Sequence, residues 1–518
     1  MLRRQSDDSY DEDGSPKEDF LMIRPQFKKW TRWPILHFGL FVVVSLSSLI
    51  ILLYYGFFAA KVEGTTPAMI GCRNFAYWTG PTCGLNGIDC QPFESDWQPI
   101  RCPARCLWDG ASNLQVFGSG PYRGDSRICR AAIHAGVIGS NGGCALMKYS
   151  GSQTSFQGSA AHGVVSTSFA SWFPKDFEFM AAHDVHNCTD LTWWILIVGL
   201  LANFGLAIFP IVPPIVLIHT LAIWGYLYVS LVIAPTSYDY LEIVLQLATQ
   251  VFFVIVSVQC MFHWFIKHTF ASFASLSLMN RLFIWGVCYV LPFHILLHLS
   301  FFSFIPWLNI DLGGYKYDKV LNTAAYAVII VGSVMSLVAI GFLLYYLYLQ
   351  HKLRSTVVGY ATLALYCVIV FVFFPHSILH VHHVMIGLIL IPLTRVPRPI
   401  AFVTQAIGLG LYIQGYAAWG WPSFLETLPA SFLIDVASQA PKAYNVTASS
   451  ANITWESLEN VYGYSLMLNG VMAYRGRETW TLLNGLQPKL TYFIQVSGVG
   501  DGGNDGLLSP EGNFTTLS

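Results

Sequence analysis

Along the chain, long apolar runs alternate with short polar turns, and the length and period of the runs separate four kinds of segment. Stretches near or above the roughly 20 residues that cross a bilayer as a helix occupy 34–60, 191–209, 214–234, 242–266, 282–305, 322–349, 356–375, 376–394 and 400–421. They predict about nine spanning helices, with only Pro375 and His376 between the seventh and the eighth. Between the first two runs, residues 61–190 are polar and rich in cysteine. Beyond the ninth, residues 437–518 change to period two: Ala451-Asn-Ile-Thr-Trp455 and Thr491-Tyr-Phe-Ile-Gln-Val496 read as strands, with turns at Asn469-Gly470, Asn484-Gly485 and Asp501-Gly502-Gly503. Residues 1–33 gather Asp7, Asp8, Asp11, Glu12, Asp13, Glu18 and Asp19 around Ser6, Ser9 and Ser15. Having little to bury, they are expected to form a disordered acidic tail; a solvated leader is the simpler reading, and a phosphorylation-tuned sorting signal the alternative.

Charge orients the spans. Arg24, Lys28, Lys29 and Arg32 immediately precede 34–60, so the excess of cations on the cytosolic side makes this run an uncleaved signal anchor with a cytosolic N-terminus. Residues 61–190 are then lumenal or extracellular. The eight runs of 191–421 form a helical bundle and return 437–518 to that same side. Lys267 and Arg281, Lys352 and Arg354, and Arg395 and Arg398 fall on predicted cytosolic turns, while Lys316 and Lys319, beside Asp311 and Asp318, depart from the pattern. Cysteines agree with this orientation. Cys72, Cys83, Cys90, Cys102, Cys106, Cys129, Cys144 and Cys188 lie in the segment where disulfides persist, and Cys260, Cys288 and Cys367 lie in spans as structural thiols. Glycosylation sequons at Asn187, Asn445, Asn452 and Asn513 also fall on the lumenal side. The chain is 54% hydrophobic and 11% charged with a net charge of -1, which makes the lipid bilayer a partner and excludes nucleic acid.

The run from Tyr122 through Arg123-Gly124-Asp125 and Cys129 to Ile138 follows Cys102-Pro-Ala-Arg-Cys106 and precedes Gly142-Gly143 and His162-Gly163-Val-Val-Ser166. In this order the motifs resemble the LCCL domain, an extracellular module found also in fungal multi-span membrane proteins, and the resemblance covers 72–180. It implies a central helix at about Ser126 to His134 wrapped by irregular strands, with Cys106 bridged to Cys129 and Cys102 to an upstream cysteine, taken as Cys90. Cys72 with Cys83 and Cys144 with Cys188 remain by elimination. In the C-terminal segment, Leu486-x-Pro488-x-x-x-Tyr492 resembles the tyrosine corner of fibronectin type III domains, and Trp455 has the place of their core tryptophan. The fold class is therefore a membrane protein: an α-helical bundle of about nine spans, a disulfide-rich α+β LCCL-like domain and a small β-sandwich.

Fifteen histidines in so apolar a chain raise a metal reading. If the eighth run is helical from its start, His376, His380 and His383 share one face at i, i+4 and i+7. His294 and His298 lie one turn apart on the fifth. At similar depth these five would suit zinc or another transition metal. The structural alternative is hydrogen bonding between helices. A multi-span hydrolase needs an acidic or serine partner within the spans, and no buried Asp stands there to supply it; no phosphate loop or nucleophile elbow is present. Arg123-Gly124-Asp125 spells an integrin-type tripeptide inside the fingerprint and is read as coincidence; His134 is read as a satisfied core residue. Two functions follow as expectations. The first is recognition or adhesion, the displayed modules binding a glycan, lipid or protein; the second is a metal-dependent membrane enzyme. A transporter ranks third.

Overall fold

The computed structural model describes residues 34–72, 94–107, 116–124, 126–151, 153–169, 175–209, 211–233, 240–299, 323–373, 377–379, 383–421, 425–427, 437–458, 461, 463–499 and 505–518. The acidic tail, Cys83, Cys90, Asp125, His376, His380 and the turn at 501–503 lie outside them.

Helix α1 (Pro34–Leu53) leads into the cysteine-rich module. The module opens with β1 (Lys61–Val62) and β2 (Ala68–Met69), followed by β3 (Gln98–Cys102), β4 (Tyr122–Arg123), α2 (Ile128–His134), β5 (Gly143–Ser150), β6 (Ala160–Ala161), β7 (Val164–Val165), β8 (Asp176–Met180) and β9 (Val185–His186). Five strands form one sheet in the order β2-β3-β5-β8-β4, and β1 pairs with β9 where the chain enters and leaves. Helix α2 buries Ile128, Cys129, Ala131, Ala132 and Ile133 in a core with Ile70, Ile100, Val116 and Phe177. The helix therefore forms by burial, being too short to stand alone.

Three expected disulfide pairs are corrected. Cys106 is bonded to Cys72 and Cys129 to Cys102, so Cys106 is not joined to Cys129, Cys102 is not joined to Cys90, and Cys72 is not joined to Cys83. The cause is β2, which runs parallel beside β3 with Ala68 opposite Ile100 and Met69 opposite Arg101. This carries Cys72 to the level of the turn Ala104–Leu107, which holds Cys106, while Cys102 at the end of β3 meets the first turn of α2. Cys144 is bonded to Cys188.

The apolar region contains α3 (Thr192–Gly205), α4 (Pro214–Tyr228), α5 (Tyr240–Met261), α6 (Leu278–Leu282) running through a π-helical stretch into α7 (Leu291–Leu297), α8 (Thr323–Leu349), α9 (Leu353–Phe373), α10 (His383–Leu390) and α11 (Pro399–Trp419). Proline at the first position starts α4 and α11, and Gly420 at φ +72° ends α11. Seven helical stretches are long and apolar enough to cross a membrane, including Ile35–Gly56. Thr192–Ile208 and His383–Thr394 are shorter, so among the described residues seven, not nine, helices reach this length. Helix α11 is central, and backbones approach it closely: a Cβ on Gly387 of α10 would lie 2.4 Å from the Gly408 carbonyl oxygen. Helices α8 and α9 instead expose Val331, Leu337, Leu365 and Val372.

The start of the expected eighth span is also corrected. Residues Ser377–Leu379 form β10, paired antiparallel with β11 (Leu425–Thr427), and the helix begins only at His383. His376 and His380 lie outside the described residues, and the extended Ser377–Leu379 between them departs from the helix on which the i, i+4, i+7 face with His383 depends.

The last unit consists of β12 (Lys442–Tyr444), β13 (Ser450–Thr454), β14 (Gly463–Leu468), β15 (Val471–Gly476), β16 (Trp480–Asn484), β17 (Thr491–Val499) and β18 (Gly512–Thr515). A three-stranded sheet, β12-β13-β16, faces a four-stranded one, β15-β14-β17-β18, over Ile453, Trp455, Leu466, Ile494 and Val496. The Gln487 amide donates to the Tyr492 hydroxyl at 2.8 Å, as a tyrosine corner requires.

Candidate functional site

The fingerprint is first of all internal wiring. Arg123 is 1% exposed, with its guanidinium 3.6 Å from the Phe117 ring centre and 4.1 Å from that of Phe169; it also donates to the Met472 carbonyl of the sandwich at 3.5 Å. A side chain so placed offers nothing to an integrin. His134 Nε2 lies 3.1 Å from the Ser159 carbonyl, which can only accept, so Nε2 carries the proton and Nδ1 accepts from the Tyr122 hydroxyl at 2.8 Å. Burial pushes that hydroxyl up to about 12, which keeps it a donor. Among the described residues, the surface left open on the module includes residues 139–141 and the hairpin around His162, where Val165 is 76% exposed.

A second polar cluster lies where the module meets the helices. Arg105, from the Cys102-Pro-Ala-Arg-Cys106 turn, donates to the Ile233 carbonyl just beyond α4 at 2.9 Å. Arg101, 5% exposed, donates to the Thr189 carbonyl at 2.9 Å. Asp190 accepts from the Ala104 amide at 2.9 Å and from the Thr192 amide at 2.8 Å and hydroxyl at 2.5 Å. Burial alone would raise the Asp190 carboxyl, but the Thr192 hydroxyl, the two amides and the Arg105 charge outweigh it and hold it below its ordinary value. Burial pulls Arg101 below its ordinary value, against the attraction of Asp190.

Two of the candidate histidines lie directly beneath this clamp. His294 Nδ1 is 2.8 Å from the Val290 carbonyl and His298 Nδ1 2.8 Å from the His294 carbonyl. Both Nδ1 atoms therefore carry protons, and both Nε2 atoms are acceptors. The Tyr228 hydroxyl donates to His298 Nε2 at 3.0 Å. Trp193 stacks on His298, and Trp224 lies against His294 with ring centres 5.3 Å apart. His383 is elsewhere, against Gly415 of α11. The structure thus joins His294 and His298 to α3 and α4 and puts His383 in a different interface. Among the described residues, no three His, Cys, Asp or Glu side chains converge to hold a metal.

Arg101, Arg105, Asp190, Trp193, Trp224 and Tyr228 escaped the sequence reading. The available signal was Asp190, a carboxylate set directly before an apolar run, where it needs a partner.

Residues 80–177 match the LCCL domain family. An uncharacterised protein of Saccharomyces cerevisiae is 24% identical over 476 residues, covering 79% of this chain and 66% of that protein. Vitrin of Mus musculus is 37% identical over 73 residues, covering 14% of this chain and 11% of vitrin. The chain therefore spans less than two thirds of the length of either relative. Among solved structures, a human fibronectin type III domain is 26% identical, with 15% of this chain and 71% of that one covered and a TM-score of 0.14.

Proposed function

We propose that this is an integral membrane protein that displays its LCCL-like module outside the cytosol to recognise a glycan, lipid or protein, with the helical bundle as its seat. The observation that carries this reading is the module at 80–177, a unit shared with vitrin although little else of either chain is. A unit that recurs in such different surroundings brings its own binding surface, because function resides in the site and not in the whole architecture. The clamp of Arg101, Arg105 and Asp190 supports the second half of the proposal, since it fixes the module to the end of α4 and the start of α3. The metal-dependent enzyme is not favoured, because among the described residues no third ligand joins His294 and His298, and His298 Nε2 already accepts from Tyr228.

The test uses the full chain in vesicles oriented with the module outward, presented to immobilised cell-wall glycans, phospholipid films and secreted glycoproteins. One class should retain the vesicles, and Val165→Asp on the open hairpin should weaken retention without lowering the melting temperature. Absence of retention by every class, or retention unchanged after the module is reduced and unfolded, overturns the proposal.

A further inference from the structure

At the end of the bundle opposite the clamp, three turns are tied into one surface. The Thr269 hydroxyl, beyond α5, donates to the Thr394 carbonyl, and Gln405 of α11 donates to the hydroxyls of Thr269 at 2.9 Å and Thr394 at 2.7 Å. Lys352, in the turn between α8 and α9, donates to the Arg395 carbonyl at 3.3 Å, and Arg395 Nη1 reaches the Ser355 hydroxyl at 3.5 Å. The positive charges of Lys352, Arg395 and Lys267 all bear on the His268 ring. Arg395 Nε and His268 Nδ1 are buried and have no hydrogen-bond partner.

Among the described residues, no carboxylate pairs with this cluster. From 243 to 310 and from 319 to 425 the sequence contains no Asp or Glu, and Glu242 is about 37 Å away along α5 at 1.5 Å per residue. Lys352 is pulled below its ordinary value by burial and by Arg395, the direction expected of a cation held among cations without an anion. A general excess of cations on the cytosolic side would account for exposed residues such as Arg354, but not for half-buried ones that leave Arg395 Nε and His268 Nδ1 without a hydrogen-bond partner.

We infer that Lys352, Arg395 and His268 form a binding site for a phosphate monoester, whose three acceptor oxygens and double charge fit converging donors better than a phosphodiester does. A lipid headgroup and a soluble phosphate share this chemistry.

The full chain in phosphatidylcholine nanodiscs is titrated with dioctanoyl phosphatidic acid, with dioctanoyl phosphatidylglycerol as the diester, and with inorganic phosphate, and binding is read by native mass spectrometry. The monoester lipid should bind well above the diester. Lys352→Gln and Arg395→Gln should each weaken it about tenfold, the loss of one charge-assisted hydrogen bond, Lys352→Arg should retain it, and Arg354→Gln should leave it unchanged. Inorganic phosphate binding as tightly as the lipid assigns the site to a soluble ligand; tighter lipid binding assigns it to the headgroup. No binding by either monoester, no preference over the diester, or equal losses in Lys352→Gln and Arg354→Gln overturns the inference. The melting temperature of each variant separates loss of the site from loss of fold.

Discussion

Asp190 stabilises its surroundings as an anion, and the sign of its shift gives the pH at which that is lost. Its folded value lies below the ordinary 3.8, so its contribution is complete above that value and disappears only as pH falls through the lower folded one. Asp190→Ala should lower the stability of the purified chain by about 1–3 kcal/mol at neutral pH, because the Ala104 and Thr192 donors lose their acceptor. Thermal melts of the wild type and Asp190→Asn should differ by a constant amount from pH 7 to 5 and converge only below about pH 4; convergence already at pH 6 would remove the carboxylate from this role. The cysteines show where residue-level legibility stops. Oxidation of the segment follows from its cysteine content, but Cys102 and Cys106 lie one turn apart, and only the parallel placement of β2 beside β3 decides which of them meets α2. Non-reducing digestion should release Cys102 linked to Cys129 and Cys72 linked to Cys106. Each bridge closes a loop of 27 or 34 residues, which corresponds to about 3.5 kcal/mol in the chain-entropy account.

At the scale of elements, apolar length and period located the helices and the strands of the sandwich because both are burial signals that survive translation into structure. They failed at Ser377–Leu379, which fits a helix by hydropathy but is drawn into an extended pairing with Leu425–Thr427; a partner 48 residues away leaves no mark on a local window. Close helix contacts were equally hidden, since they depend on which glycine faces which ring. A Cβ on Gly199 of α3 would fall 1.8 Å from the Trp224 ring, whereas one on Gly205 of the same helix meets nothing within 4 Å. Trp224 in turn stacks on Tyr228 at 4.9 Å and supports His294. Gly199→Ala should therefore destabilise the bundle by about 1–3 kcal/mol, the usual effect of overpacking. Gly205→Ala should be neutral or slightly stabilising through helix propensity. Equal melting temperatures for the two variants in one detergent would contradict this placement of Trp224.

For the whole molecule, the module, the clamp and the cationic end form a polarity that a membrane would have to respect. Arg101, Arg105 and Asp190 join the LCCL-like module to one end of the helices, while Lys352, Arg395 and His268 gather at the other. Two charged ends separated by helices that expose Val331, Leu337 and Val372 suit the orientation in which cations accumulate on the cytosolic side and disulfides persist on the other. The sandwich is tied to the module through Arg123 and the Met472 carbonyl, so both should be found on the same side. Asn187, Asn445 and Asn513 are exposed, while Asn452 is half-buried in β13. In microsomes opened with detergent, endoglycosidase should shift the mobility of the chain, with Asn187→Gln, Asn445→Gln and Asn513→Gln each removing more of that shift than Asn452→Gln, whereas sealed microsomes serve the protease test. External protease should spare the module and a C-terminal tag and cut the turn at 350–352. Protection of that turn together with cleavage of the C-terminal tag would reverse the orientation and move the phosphate site to the face that this reading assigns to ligand recognition.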